Sequence, residues 1–235
     1  MAAIKSYLEL VRISNLPTVW SNVAAAVVLS DGHFSWASFL LPALSLSLFY
    51  SGGMSLNDIC DSRIDRLKRP SRPIPSGRIS IFQASLFTAL LFAAAFIALL
   101  AVSHRSALIA GALLCLFILA YDLFHKGNPL SVLLMAGCRL MVYVVTGHAV
   151  AGTLNSAVIT IGMIQFGYII LVSLVARYEN SRQDAFALPV ISLMLAGICL
   201  VDGIYLAIVS SPFWLAAGLG AMLVTLCSQR YVRGD

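Results

Sequence analysis

Three of the chain's ten acidic residues fall close together in the stretch Asn57-Asp58-Ile59-Cys60-Asp61-Ser62-Arg63-Ile64-Asp65. Asp58, Asp61 and Asp65 stand at i, i+3 and i+7, and Asn57 with Asp61 at i, i+4, so a helix through this stretch turns their oxygens toward one side. Like charges gathered in this way repel, and a cation relieves the repulsion. Mg²⁺ takes carboxylate and amide oxygens while leaving positions open for phosphate oxygens, which makes a Mg²⁺-bound allylic diphosphate the natural candidate ligand. The alternative is a solvated cap in which the carboxylates pair with Arg63, Arg66, Lys68 and Arg69.

The segment that follows is Arg69-Pro70-Ser71-Arg72-Pro73-Ile74-Pro75-Ser76-Gly77-Arg78. Its three prolines predict an extended, non-helical path that holds the guanidiniums of Arg69, Arg72 and Arg78 near the carboxylates. Arginine forks bind phosphate bidentately. A stiff basic loop that orients the chain in a membrane is the other reading, and the two are compatible.

Composition says what must position these groups. Hydrophobic residues make up 60% of the 235 and charged residues 11%, where soluble domains carry about a quarter charged. Apolar runs near 13–30, 37–56, 80–102, 106–121, 129–151, 156–176, 186–209 and 211–228 are each close to the roughly 20 residues that cross a bilayer. Backbone amides in hydrocarbon are satisfied only in helices or closed barrels, and strand-type alternation is absent. The expected fold is therefore an all-α integral membrane protein, a single polytopic domain over residues 1–235 built as a bundle of about eight transmembrane helices.

The charges orient this bundle. With the N-terminus inside, thirteen of the fifteen lysines and arginines fall in cytoplasmic segments, leaving only Arg105 outside and Arg139 within a span, so both termini are expected in the cytoplasm. The outer connections are too short to hold a catalytic site, which leaves polar chemistry to the cytoplasmic face. The net charge of +5 comes from these short loops and not from a solvated basic face, so nucleic acid is not an expected partner; the lipid bilayer is. The first 26 residues imitate a cleavable signal peptide, but the topology needs them as a helix. With no transit peptide visible, a plasma or inner membrane is the expected location. Cys60, Cys115, Cys138, Cys199 and Cys227 show neither CxxC nor metal-ligand spacing and read as apolar fillers.

Asn-Asp-x-x-Asp-x-x-x-Asp at residues 57–65, followed by Arg-Pro-x-Arg-Pro-Ile-Pro-Ser-Gly at 69–77, resembles the first motif of the UbiA superfamily of intramembrane prenyltransferases. The resemblance runs along most of the chain. It implies a central cavity opening at the cytoplasmic face, with Asn57, Asp58, Asp61 and Asp65 holding Mg²⁺ and the diphosphate. Arg12 and Asn15, in Leu10-Val11-Arg12-Ile13-Ser14-Asn15, are similar to the family's opening Arg-x-x-Asn and by resemblance stand at the mouth of that cavity; a basic residue and a cap flanking the first span would look the same. Tyr121 and Lys126, in Tyr121-Asp122-Leu123-Phe124-His125-Lys126, are similar to the family's tyrosine–lysine element, which implies that both approach the diphosphate. Read without the family, they are an interfacial aromatic and a topological cation.

Arg139 lies within the fifth span, where a charge costs roughly 2.5–3.5 kcal/mol on insertion scales. It either pairs with an intramembrane acid such as Asp202 or faces the cavity near the diphosphate; Gly137-Cys138-Arg139 is similar to an element seen in some branches of the superfamily. The chain departs from the family at its second acidic motif. In place of Asp-x-x-x-Asp it has Arg177-Tyr178-Glu179-Asn180-Ser181-Arg182-Gln183-Asp184, a departure that resembles the EboC-like branch. Glu179 and Asp184 hold a second Mg²⁺ only if the helix breaks between them, because i and i+5 point about 140° apart; otherwise they pair with Arg177 and Arg182. His33, His104, His125 and His148 form no metal-ligand pair.

The implied reaction moves a prenyl group from an allylic prenyl diphosphate to a lipophilic or membrane-surface acceptor, aromatic or hydroxyl. Mg²⁺, Lys126 and arginines including Arg69 and Arg72 neutralise the departing diphosphate, and Asp61 and Asp65 contribute to catalysis with Lys126, Asp65 or another carboxylate by orienting or deprotonating the acceptor. A membrane scaffold or transporter component that kept the fold and lost the second motif is the alternative. Oligomeric state is open.

Overall fold

Uninterrupted apolar sequence becomes helix, and the computed structural model, which describes residues 2–124, 128, 130–181 and 189–232, contains only helices, turns and short connections among them. Lys126, Arg182 and Asp184 lie outside the described residues. The helices are α1 (Ala2–Leu10), α2 (Leu16–Asp31), α3 (Trp36–Lys68), α4 (Ile81–Leu100), α5 (Ser106–Phe124), α6 (Ser131–Ala151), α7 (Ser156–Ser181), α8 (Val190–Val209) and α9 (Phe213–Gln229). A 3₁₀ turn over Ile13–Asn15 leads into α2.

Among the described residues, seven segments are long and apolar enough to cross a bilayer, and they coincide with the first seven expected spans to within a few residues at most ends. The exception is the second, where the helix does not stop near residue 56 but continues to Lys68. At 1.5 Å per residue its 33 residues extend to about 50 Å, well beyond a hydrocarbon core about 30 Å thick. The acidic stretch therefore rides on unbroken helix, as its spacing requires. The eighth expected span is α9, a shorter apolar helix of 17 residues, at the lower end of the bilayer-crossing range.

Helices α3 and α4, α5 and α6, α6 and α7, and α8 and α9 pack side by side, while α2 runs against α3, α6, α8 and α9. This central place explains the burial of Val19, Val23 and Val27 together with Ala25 and Ala26 on α2. Val19, Val23 and Val27 meet Leu46 and Phe49 of α3 and Val145 of α6. Large apolar side chains on the outer helices, among them Leu90, Leu116, Leu171 and Leu223, are exposed, which suits a surface bathed in lipid. Helices α8 and α9 meet at their backbones: a Cβ on Gly203 would lie 2.8 Å from the Trp214 carbonyl and 2.9 Å from Gly218 Cα. Small residues permit such close approach in membranes. Gly203→Leu is expected to force the pair apart and cost about 1–3 kcal/mol, read as a lower melting temperature in detergent.

The loop after α3 folds into turns where the prolines predict an extended run. Arg72 N–H donates to the Arg69 carbonyl, Ser76 N–H to the Arg72 carbonyl and Gly77 N–H to the Ile74 carbonyl. Proline's fixed φ suits turns as well as extended chain, and Gly77, at φ 76°, takes a left-handed conformation that costs glycine nothing. Ile74 and Ile79 are buried against Leu10 of α1 and Ala84 of α4, so the loop is pinned under the first helix. Ser80 then starts α4 with a reciprocal capping box to Gln83.

Candidate active site

The side of α3 that carries the carboxylates faces inward, and the folded loop brings an arginine over it. Asp58 and Asp65 are 3% and 5% exposed, a level of burial that charges reach only when paired. Arg72 supplies the pairing for both: its Nη1 donates to Asp58 Oδ1 at 3.0 Å and to Asp65 Oδ2 at 2.7 Å. Arg12 Nη2 adds a second bond to Asp58 Oδ1 at 3.2 Å.

Arg12 reaches Asp58 from a backbone at φ 47°, the one left-handed non-glycine residue among those described. Such a conformation costs about 1–3 kcal/mol and points to a constrained, functional position. Arg78 plays another part, donating at 2.6 Å to Glu9 and at 2.7 Å to the Ser71 carbonyl, which fastens the loop to α1. Arg69, expected to bind phosphate with Arg72, is exposed at the end of α3, where its N–H donates to the Asp65 carbonyl at 2.8 Å.

The remaining expected residues divide. Asn57 and Asp61 belong to the same surface: Asn57 Nδ2 donates to Asp122 Oδ1 at 3.0 Å, and Asp61 lies within electrostatic reach of Asp58 and of Tyr121. Tyr121 is also within reach of Arg12 and Asp122. Asn15 is buried, accepts a hydrogen bond from Gln229 of α9 at 2.9 Å and pairs with the Tyr50 hydroxyl. Glu179 is half-buried in the last turns of α7. Among the described residues no three histidine, cysteine or acidic side chains converge closely enough to hold an ion together; Arg12 and Arg72 take the place between the carboxylates that the sequence reading gives to Mg²⁺.

The donor set nevertheless suits that ion. The oxygens of Asn57, Asp58, Asp61 and Asp65 are the hard ligands that Mg²⁺ prefers, and all lie on one helix face. An anion is also provided for: Arg72 Nη2 is buried with no hydrogen-bond partner among the described residues, so one arm of its fork remains for an acceptor such as phosphate.

Three residues with no role in the sequence reading enter the site. Asp122, 3% exposed, joins α5 to Asn57 of α3; its signal was an acid ending an apolar span, the same signal that marks Asp58. Tyr50 lies within electrostatic reach of both Arg12 and Arg139. Asn22, fully buried on α2, accepts from Arg139 Nη1 at 2.8 Å and donates to Asp202 at 2.7 Å. Arg139 and Asp202, offered as a direct ion pair, are thus joined through an amide. A cavity of about 310 Å³ beside Asp202, between α2, α8 and α9, is lined by residues such as Trp20, Phe34 and Trp214.

The fold is shared with known proteins. A solved digeranylgeranylglyceryl phosphate synthase superposes with a TM-score of 0.67 at 21% identity, over 98% of this chain and 95% of that one. A UbiA homologue from Archaeoglobus fulgidus, solved with DMAPP and Mg²⁺ bound, superposes with a TM-score of 0.65 at 17% identity, over 93% and 86%. In sequence, the digeranylgeranylglyceryl phosphate synthase of Sulfolobus acidocaldarius is 39% identical over 89 residues, 37% of this chain and 31% of that protein. The synthase of Methanocaldococcus jannaschii is 29% identical over 163 residues, 69% of this chain and 52% of that one. The matched region therefore spans under a third of the first relative's length and about half of the second's. The model of the UbiA prenyltransferase family matches residues 16–235, nearly the whole chain including the carboxylate helix and its arginine loop, and the protein belongs to that family.

Proposed function

We propose that the chain is a Mg²⁺-dependent intramembrane prenyltransferase that takes the prenyl group from an allylic prenyl diphosphate and attaches it to the hydroxyl of a glycerol phosphate lipid. The observation that carries this reading is the buried pair Asp58 and Asp65 bridged by Arg72 at the end of a membrane-spanning helix. Relatives named for a digeranylgeranylglyceryl phosphate product favour a hydroxyl acceptor over an aromatic one, since such a product is a prenylated glycerol. Its precursor would be a glycerol phosphate carrying one fewer prenyl chain.

Bound Mg²⁺ would neutralise charge on the departing diphosphate and so ease cleavage of the allylic C–O bond. The chain's residues do the rest. Asn57, Asp58, Asp61 and Asp65 would hold the cation, and Arg72, whose Nη2 has no partner among the described residues, and Arg12 would bind the phosphate oxygens. Lys126 adds a compact charge on a flexible stem, and Tyr121 lines the approach. Glu179 and Asp184 are the candidates for a second ion. The apolar helices exclude water, so that the acceptor hydroxyl, oriented by Asp65, captures the allylic cation and passes its proton to that carboxylate. Both termini face the cytoplasm, and the membrane is a plasma or inner membrane.

The test is transfer of radiolabel from prenyl diphosphates of several chain lengths into lipid by the detergent-purified protein, with Mg²⁺ or EDTA, beside Asp61→Ala. The expected result is Mg²⁺-dependent labelling of a new lipid with release of pyrophosphate, reduced at least about 100-fold in Asp61→Ala. Neither donor binding nor pyrophosphate release under any condition would overturn the reading in favour of a scaffold.

A further inference from the structure

Arg139 sits in the middle of α6, and among the described residues no carboxylate lies within ion-pairing distance of it. Its bonds go to neutral groups: Nη1 to Asn22 Oδ1 at 2.8 Å, and Nη1 and Nη2 to Thr18 Oγ1, each at 3.4 Å. The last two are long for a charged donor. A guanidinium inside a membrane span from which the carboxylate of Asp202 is held off by an intervening amide is costly, and an anionic ligand in direct contact lowers that cost. Arg139 is only half-buried and shares the neighbourhood of Tyr50 with Arg12, so it stands toward the carboxylate site and not toward lipid.

What aims it there is a relay across four helices. Asp202 of α8, 1% exposed, accepts from Ser21 at 2.6 Å, Asn22 at 2.7 Å, Gln165 at 3.2 Å and the Tyr143 hydroxyl. Because Asp202 and the Tyr143 oxygen both take the Asn22 NH₂, the amide has one orientation, with Oδ1 toward Arg139. Reversing it would set an oxygen against the carboxylate and an NH₂ against the guanidinium. Asp202, Asn22 and Tyr143 are each held by hydrogen bonds from more than one helix, with Gln165 Oε1 the one buried atom of the network that has no partner among the described residues, and such cross-bonding makes the relay rigid.

We infer that Asp202, acting through Asn22, is a positioning residue that aims Arg139 at a phosphate-type anion in the active site. The inference rests on the prenyl-transfer reading for its ligands, where two sources share the chemistry: the donor's diphosphate and the acceptor's phosphate. Inorganic pyrophosphate with Mg²⁺ and glycerol phosphate serve as head-group probes, titrated calorimetrically into the detergent-purified full chain, so that binding is read without turnover.

Asp202→Asn is expected to weaken binding of one probe about 10- to 100-fold, the range for losing a hydrogen bond to a charged group, and to leave the other within twofold. Loss of pyrophosphate binding identifies the donor as the source, and loss of glycerol phosphate binding the acceptor. Asn22→Leu, which cuts the relay at its second link, reproduces the effect if Asp202→Asn does not fold. Ser21→Ala removes another bond to the same carboxylate without touching Asn22, and both affinities should survive it. Equal losses in Ser21→Ala and Asp202→Asn, or unchanged affinities in Arg139→Gln, overturn the inference. Binding that follows this pattern without any prenyl transfer would leave the relay standing and remove only the reading of the reaction.

Discussion

Asp58→Asn is expected to lower prenyl transfer by about 10²–10³-fold, the loss typical of removing one preorganised electrostatic group, with the protein still folded. Asp58 is the point where both arginines meet, since Arg12 and Arg72 donate to the same oxygen, and on the proposed reading it is also a ligand of the cation. Asparagine keeps the shape and one acceptor but loses the charge that balances two guanidiniums, and it offers Mg²⁺ a weaker ligand. Asp58→Ala adds a structural penalty: it leaves the arginines facing an uncompensated gap, where breaking a buried pair costs about 3–5 kcal/mol. Steady-state labelling in Mg²⁺ beside thermal unfolding in detergent separates the two effects. An Asp58→Asn protein with wild-type turnover would remove the carboxylates from the mechanism.

Arg72→Gln should act first on stability, and in a way that depends on the metal. In EDTA, Asp58 and Asp65, both nearly fully buried, lose the guanidinium that bridges them. Arg12 still pairs with Asp58, but Asp65 is left as a buried charge without its guanidinium beside a like charge, and the expected destabilisation is again about 3–5 kcal/mol. In Mg²⁺ a cation held by Asp58 and Asp65 would take over the role of the guanidinium, so most of that loss should be recovered by mass action. The wild type, which carries its own cation in Arg72, should respond less to the same addition. Melting temperatures of both proteins across a Mg²⁺ titration measure the difference. Parallel curves would mean that guanidinium and metal do not compete for the same oxygens.

The membrane class and the positions of the spans could be read from the sequence because hydrocarbon imposes a one-dimensional rule: a helix must stay apolar for the thickness of the bilayer. The spacing of Asp58, Asp61 and Asp65 was equally legible, since they lie on one helix and its period alone sets their facing. The Arg-Pro loop showed that arginines stand near the carboxylates. It did not show that Arg72 would bridge Asp58 and Asp65 while Arg69 stays exposed, because that choice depends on how turns fold back over α3 and on Ile74 and Ile79 packing beneath α1.

Contacts between distant parts of the chain were decided only by tertiary structure. Asn57 meets Asp122 across 65 positions, and Asn22 meets Asp202 across 180. In a soluble helix the polar face is visible as a break in the apolar period. Here lipid and core are both apolar, so the period says little about which side of α2 or α8 turns inward, and a lone Asn22 or Asp202 has no visible partner. The sequence determined which residues are costly in hydrocarbon; only the packing of α2 against α6 and α8 decided which of them compensate one another.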